Sequence, residues 1–166
     1  MVSSIRLILV SAASTLALSA PAAAGPADDA MAVVASTMDK FNAGDANAFI
    51  AAHTPDATIV DEFAPYQWRG QGSAARWMAD YGKDAAARKI SGGRVDYGKP
   101  VQASGTANSA YIVLPVTYSF TQDGRKMAAT GTMTLVMAKA ADAWKIAGWT
   151  YAAPAPVAAA EAAPGR

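Results

Sequence analysis

Asp61 and His53 are the two residues whose chemistry first draws attention. Asp61 follows Thr58, Ile59 and Val60, a β-branched run that favours a strand over Asp56 to Glu62. The two-residue period of a strand sets Ile59 and Asp61 on one face, and Val60 and Glu62 on the other. A carboxyl held against apolar walls keeps its proton to higher pH and becomes a proton shuttle near neutrality. The plainer use of an aspartate at a strand end is turn formation, in which it accepts the amides of the following loop. His53 is the sole histidine, so an imidazole near an acid offers acid–base pairing. At the end of a helix, a histidine also meets the last backbone carbonyls favourably. No Gly-x-Ser-x-Gly elbow exists to support a serine triad. Glu62 should diverge from Asp61, which argues against a paired-carboxylate glycosidase site.

Around these acids, Trp68, Trp77, Tyr81, Tyr111, Tyr118 and Trp149 form the aromatic set expected to line or cover a cavity, with ordinary core packing as the alternative. Tyr111 and Tyr118 are an odd number of positions apart, so at most one faces the cavity unless Pro115 introduces a bulge. Arg69 suits either an anionic group or a salt bridge. One histidine and no cysteine leave no zinc constellation, so neither a metal nor a cofactor is expected.

The elements that must position these residues are legible in turn. Met31, Val34, Met38 and Phe41 recur at helical spacing from Asp28 to Phe41, with Asp28 or Asp29 as cap and Asn42-Ala43-Gly44 as stop. Asp45 caps a second helix from Ala46 to about His53, ended by Pro55. A third runs from about Ser73 to Arg88, with Trp77 and Tyr81 on one face and an Asp84–Arg88 pair on another. After Gly92-Gly93, four strands are expected at Arg94–Ser104, Ser109–Gln122, Arg125–Lys139 and Ala143–Ala152. Asp123-Gly124 is a strong hairpin turn and Ala140 to Asp142 a weaker one. The fold class is α+β, with helices gathered on one side of a mostly antiparallel sheet.

The ends of the chain read differently. Residues 1–24 combine Arg6, an apolar run and Ala20-Pro21-Ala22-Ala23-Ala24, the order of a cleavable export signal. Cleavage leaves 142 residues of zero formal charge, one domain over 25–152, with no electrostatic call for nucleic acid or membrane. Export permits disulfides, yet cysteine is absent, so the core alone must hold the fold. From Ala153 the chain is mostly Ala and Pro and reads as a disordered tail over 153–166.

Four strings together resemble the nuclear transport factor 2-like superfamily, which includes ketosteroid isomerase, scytalone dehydratase and polyketide cyclase-like (SnoaL-like) proteins. They are Phe41-Asn42-Ala43-Gly44-Asp45, Pro55-Asp56-Ala57-Thr58-Ile59-Val60-Asp61, Trp68-Arg69-Gly70 and Trp144-Lys145-Ile146-Ala147-Gly148-Trp149. The resemblance implies a cystatin-like cone, a strongly curved sheet wrapped around the long helix with an apolar pocket at its wide end. It places the catalytic base of the isomerases at Asp61. The isomerases' oxyanion-binding tyrosine corresponds to Thr37, and their second donor falls near Thr130, Thr132 and Met133, where threonine is a poorer oxyanion donor.

One cone hosts many functions, so the site must decide. The first expectation is an exported, periplasmic or secreted protein that binds a small apolar or aromatic molecule. The second is a proton-transfer enzyme, an isomerase, dehydratase or cyclase, with Asp61 as base and His53 or Tyr81 as helper. The third is a homodimeric interaction module. Met127, Met133, Leu135 and Met137 share one strand face, and a dimer follows if that face is exposed.

Overall fold

Helix α1, Pro26–Asn42, begins where proline is best tolerated in a helix, and Asp28 Oδ2 accepts the Gly25 amide at 2.9 Å. Its buried stripe is Ala30, Val34, Thr37 and Met38. Helix α2, Ala46–Ala51, is capped as expected by Asp45, whose Oδ1 accepts the Ala48 amide at 3.0 Å. It stops sooner than the sequence suggests, and His53 already opens strand β1, His53–Val60. Helix α3, Ser73–Ala87, follows the left-handed Gly72 and carries the Asp84–Arg88 pair at 3.1 Å. These elements come from a computed structural model that describes residues 25–159; the expected export signal and residues 160–166 lie outside them.

The remaining strands are β2 (Gln67–Trp68), β3 (Ile90–Tyr97), β4 (Gln102–Gly105), β5 (Ser109–Gln122), β6 (Arg125–Ala140), β7 (Ala143–Ala152) and β8 (Val157–Ala158). They build one strongly curved, mostly antiparallel sheet in the order β2-β1-β7-β6-β5-β3, with β4 also on β5 and β8 also on β6. The single strand expected over Arg94–Ser104 is two strands: Gly98-Lys99-Pro100 interrupts it, and the halves pair with opposite ends of β5. Gly92-Gly93, read as a boundary, lies inside β3 at a register shift between Ser91 and Arg94. Asp123 and Gly124 both take positive φ, 48° and 78°, which closes the β5–β6 hairpin as the sequence predicts. Ala141 and Asp142 do the same for β6–β7 at 47° and 65°.

Alternation along β5 and β6 defines the concave side, where Ile112, Leu114, Val116, Leu135 and Met137 are buried in one core with Val34 and Met38 of α1. Removing each such side chain from water stabilises the fold by roughly 1.5–3 kcal/mol. The Met127, Met133, Leu135 and Met137 face is this concave side, with Leu135 and Met137 in the core. The condition on which that face would make a dimer, its exposure, is therefore not met.

Past Ala152, where the sequence suggests disorder, the described chain stays on the sheet. The Ala153 amide donates to Glu62 Oε1 at 2.7 Å, β8 pairs with Met127 and Ala128, and the Ala159 amide donates to the Lys126 carbonyl at 2.9 Å. An Ala/Pro composition lacks a core of its own, but the edge of β6 supplies backbone partners that composition does not reveal.

Candidate functional site

A cavity of about 130 Å³ is lined by residues of all three helices and the concave sheet. Phe41 from α1, Phe49 from α2, Trp77 and Tyr81 from α3, and Tyr118, Trp149 and Tyr151 from the sheet contribute aromatic walls. Trp77 is the hub. It stacks on Phe49 at 5.2 Å and on Tyr81 at 5.4 Å, and meets Trp149 edge-on at 5.1 Å. Such pairs add about 0.5–1.5 kcal/mol beyond their buried area and fix ring orientation.

Asp61 lies in this wall, just beyond the end of β1. Oδ2 accepts the Trp77 indole N–H at 2.9 Å and Oδ1 accepts the Glu62 amide at 2.8 Å. Burial pushes the Asp61 carboxyl up to about 6, although the bonds from the Glu62 amide and Trp77 favour the charged form and oppose the rise. Asp61 thus accepts a loop amide and also lines the cavity. Glu62 does not diverge as a continued strand would require, because β1 ends at Val60. It reaches the cavity rim, with Oε1 engaged by Ala153.

His53 lines the cavity with both ring nitrogens engaged. Its Nε2 lies 3.0 Å from Trp149 Nε1, and an indole N–H only donates, so Nε2 must present a lone pair. The proton therefore sits on Nδ1 and is donated to the Phe49 carbonyl at 2.9 Å. Burial lowers the imidazole to about 4, partly opposed by the Phe49 bond and helped by the Lys145 charge. His53 is a neutral bracket that ties α2 to β7.

Of the six aromatic residues expected in the wall, Trp77, Tyr81, Tyr118 and Trp149 are there. Trp68 is not: it is buried against Phe63 and donates its indole N–H to Asp80 at 3.0 Å. Tyr111 is not either: it sits on the convex side, 40% exposed, opposite in sense to Tyr118, as the odd spacing requires. Thr37 lines the cavity but spends its hydroxyl on the Val33 carbonyl at 2.7 Å. Thr130 bonds Thr117 on the convex side, so only Met133 of the three positions considered on that strand reaches the cavity.

The polar feature that sequence reasoning missed joins Tyr81 to Tyr118, whose hydroxyls are 2.8 Å apart. Burial raises both phenols, carrying Tyr118 far above the ordinary tyrosine range. Both stay protonated donors at neutral pH. Gly93 makes the meeting possible: a Cβ there would fall 2.6 Å from the Tyr118 hydroxyl and closer still to that of Tyr81. Tyr151 was legible in principle, being two residues after Trp149 on the same strand face. Its hydroxyl donates to the Ala129 carbonyl at 3.0 Å, and burial pushes it up to about 12. Among the described residues, no group of three or more acidic or histidine side chains is arranged to hold a metal ion.

No family model and no curated protein matches the sequence. Solved structures do. A hexachlorocyclohexane dehydrochlorinase (LinA) Type2 aligns over 83% of this chain and 93% of its own, at 10% identity and TM-score 0.66. A ketosteroid isomerase-like protein from Erwinia carotovora atroseptica aligns over 78% and 97%, at 18% identity and TM-score 0.61. A nuclear transport factor 2-like superfamily protein from Salmonella enterica serovar Typhimurium aligns over 81% and 93%, at 14% identity and TM-score 0.61. At these identities the likeness speaks for architecture, and the three helices and curved sheet agree with it: the chain has the nuclear transport factor 2-like fold.

Proposed function

We propose that this protein is exported and, after loss of residues 1–24, binds a small apolar or aromatic molecule in the cone. The observation that carries the reading is the cavity itself, about 130 Å³ with predominantly apolar and aromatic walls. A hydrocarbon-lined cavity of roughly 150 Å³ takes up one benzene molecule, so the expected occupant is about a single ring in size. Native mass spectrometry of the mature protein tests this, together with a toluene titration followed by tryptophan fluorescence. A retained small molecule or saturable quenching supports the reading; neither, from a folded protein, refutes it. A mature chain beginning at Gly25 supports the export signal.

Asp61 favours a second reading, proton transfer on the bound molecule. A carboxyl near pH 6 beside a ring-sized cavity can take a proton and return it. Tyr81 remains available as helper; His53 does not. An Asp61→Asn variant that still binds the retained molecule but no longer exchanges its protons with deuterated solvent supports this use, and unchanged exchange removes it.

A homodimer is supported by a different surface from the methionine face. The convex side of β5 and β6 carries Tyr111, Val113, Thr130, Thr132, Thr134 and Val136, all uncharged, with Val136 47% exposed. Light scattering tests it: a parent dimer that Val136→Lys converts to a monomer supports the reading, and a monomeric parent refutes it.

A further inference from the structure

The cavity's polar groups are almost fully committed. The indole N–H of Trp77 is spent on Asp61, and that of Trp149 on His53. The His53 proton goes to Phe49, the Tyr151 hydroxyl to Ala129, and the Thr37 hydroxyl to Val33. Tyr81 and Tyr118 carry two hydroxyl protons between them, and their mutual bond uses one. Neither hydroxyl has another partner among the described residues. One donor hydrogen is therefore left without a protein partner, facing a largely apolar cavity. The β3 backbone also gives way for this pair, since any side chain at Gly93 would strike both oxygens.

We propose that the Tyr81–Tyr118 pair is the anchor for a carbonyl-type oxygen on a neutral, single-ring ligand. This rests on the cavity reading above and specifies what the cavity takes. The spare proton needs an acceptor, and a carbonyl oxygen supplies two lone pairs with no competing hydrogen. Because one hydroxyl donates to the other, the terminal O–H is polarised and becomes the stronger donor. An anionic ligand is disfavoured, because Asp61, Glu62 and Asp84 all border the same space and only Arg88 at the mouth is cationic. The cavity volume matches a ring-sized group seated beside the pair.

Cyclohexanone and methylenecyclohexane test the assignment, being alike in shape but unlike in having an acceptor. Binding is followed by tryptophan fluorescence in the full mature chain and in Tyr118→Phe and Tyr81→Phe variants. The expected result is about a five- to tenfold loss of cyclohexanone affinity in the variant that removes the terminal hydroxyl and a smaller loss in the other, with methylenecyclohexane changed less than about twofold in both, the size of one hydrogen bond. In the unmodified protein, the carbonyl stretch of bound cyclohexanone should move below its value in hydrocarbon solvent, a readout that needs no variant to fold. If methylenecyclohexane binds but the carbonyl stretch does not move and the variants treat both compounds alike, the anchor is overturned and the cavity reading stands. If neither compound binds the folded parent, both fall together.

Discussion

Replacing Asp61 by Asn should make the protein more stable at pH 8 and leave it no more stable at pH 4.5. In the fold this carboxyl titrates near 6 against an ordinary 3.8, and burial is the main reason. At about 1.36 kcal/mol per unit, holding it ionised costs the native state about 3 kcal/mol above pH 6. Asn removes that cost, but both Asp61 oxygens accept hydrogen bonds, from Trp77 and from the Glu62 amide. An amide can keep only one, a loss of about 1 kcal/mol. The net gain at pH 8 is then about 2 kcal/mol. Between pH 6 and 3.8 the native protein holds this proton more tightly than the unfolded chain, so acidification progressively stabilises the parent through Asp61. The contribution is full below 3.8 and lost as pH rises through 6. The variant has no such term, and its advantage shrinks to about zero by pH 4.5. His53 titrates in both proteins and cancels in the difference. Urea unfolding followed by tryptophan fluorescence at pH 8, 6 and 4.5 measures the gap. A gap independent of pH, or a variant less stable than the parent at pH 8, refutes the burial argument.

Three other outcomes are expected. Trp77→Phe removes the donor that favours the charged carboxylate, so the Asp61 midpoint should rise above 6 in a carbon-13 carboxyl titration. Ring nitrogen-15 shifts of His53 should show hydrogen on Nδ1 and a bare Nε2 until the pH falls towards 4. Because the fold holds this imidazole neutral, the stability it contributes is present above 6.5 and lost as pH falls through about 4. A chain ended at Ala152 loses Pro156 from the cavity wall and frees Glu62 from Ala153, so it should unfold about 1–2 kcal/mol more easily. Acrylamide should also quench its tryptophans more strongly.

What the sequence discloses and what it hides divide by range. The Asp45 cap, the Asp84–Arg88 pair, the Trp77–Tyr81 face and the Asp123-Gly124 turn are set by residues within four positions of one another, and each forms as read. The opposed senses of Tyr111 and Tyr118 follow from the strand period alone. The partners that decide chemistry come from afar. Tyr81 finds Tyr118 across 37 positions and Trp77 finds Asp61 across 16, and no local spacing encodes either meeting. Gly93 is silent in sequence because its role is to be absent from a place where two distant phenols converge. Trp68 looks like its neighbours in the aromatic set, yet Asp80 one element away turns it out of the cavity. The sense of the methionine face was equally undetermined until β5 and β7 flanked it.

The parallel seam between β1 and β7 also has a kinetic meaning. His53 and Trp149, whose rings bond across that seam, are 96 positions apart. The loop that must close before they meet is among the longest in the domain, and closure entropy is spent before any contact there returns it. The β5–β6 hairpin can form early, with its two-residue turn, whereas β1 has only the two-residue β2 beside it until β7 arrives. The wall that carries Asp61 is therefore completed late in folding. The cavity, whose wall also takes Pro156 from beyond β7, closes only once that part of the chain is in place, so a ligand is expected to bind the folded protein rather than to help nucleate it.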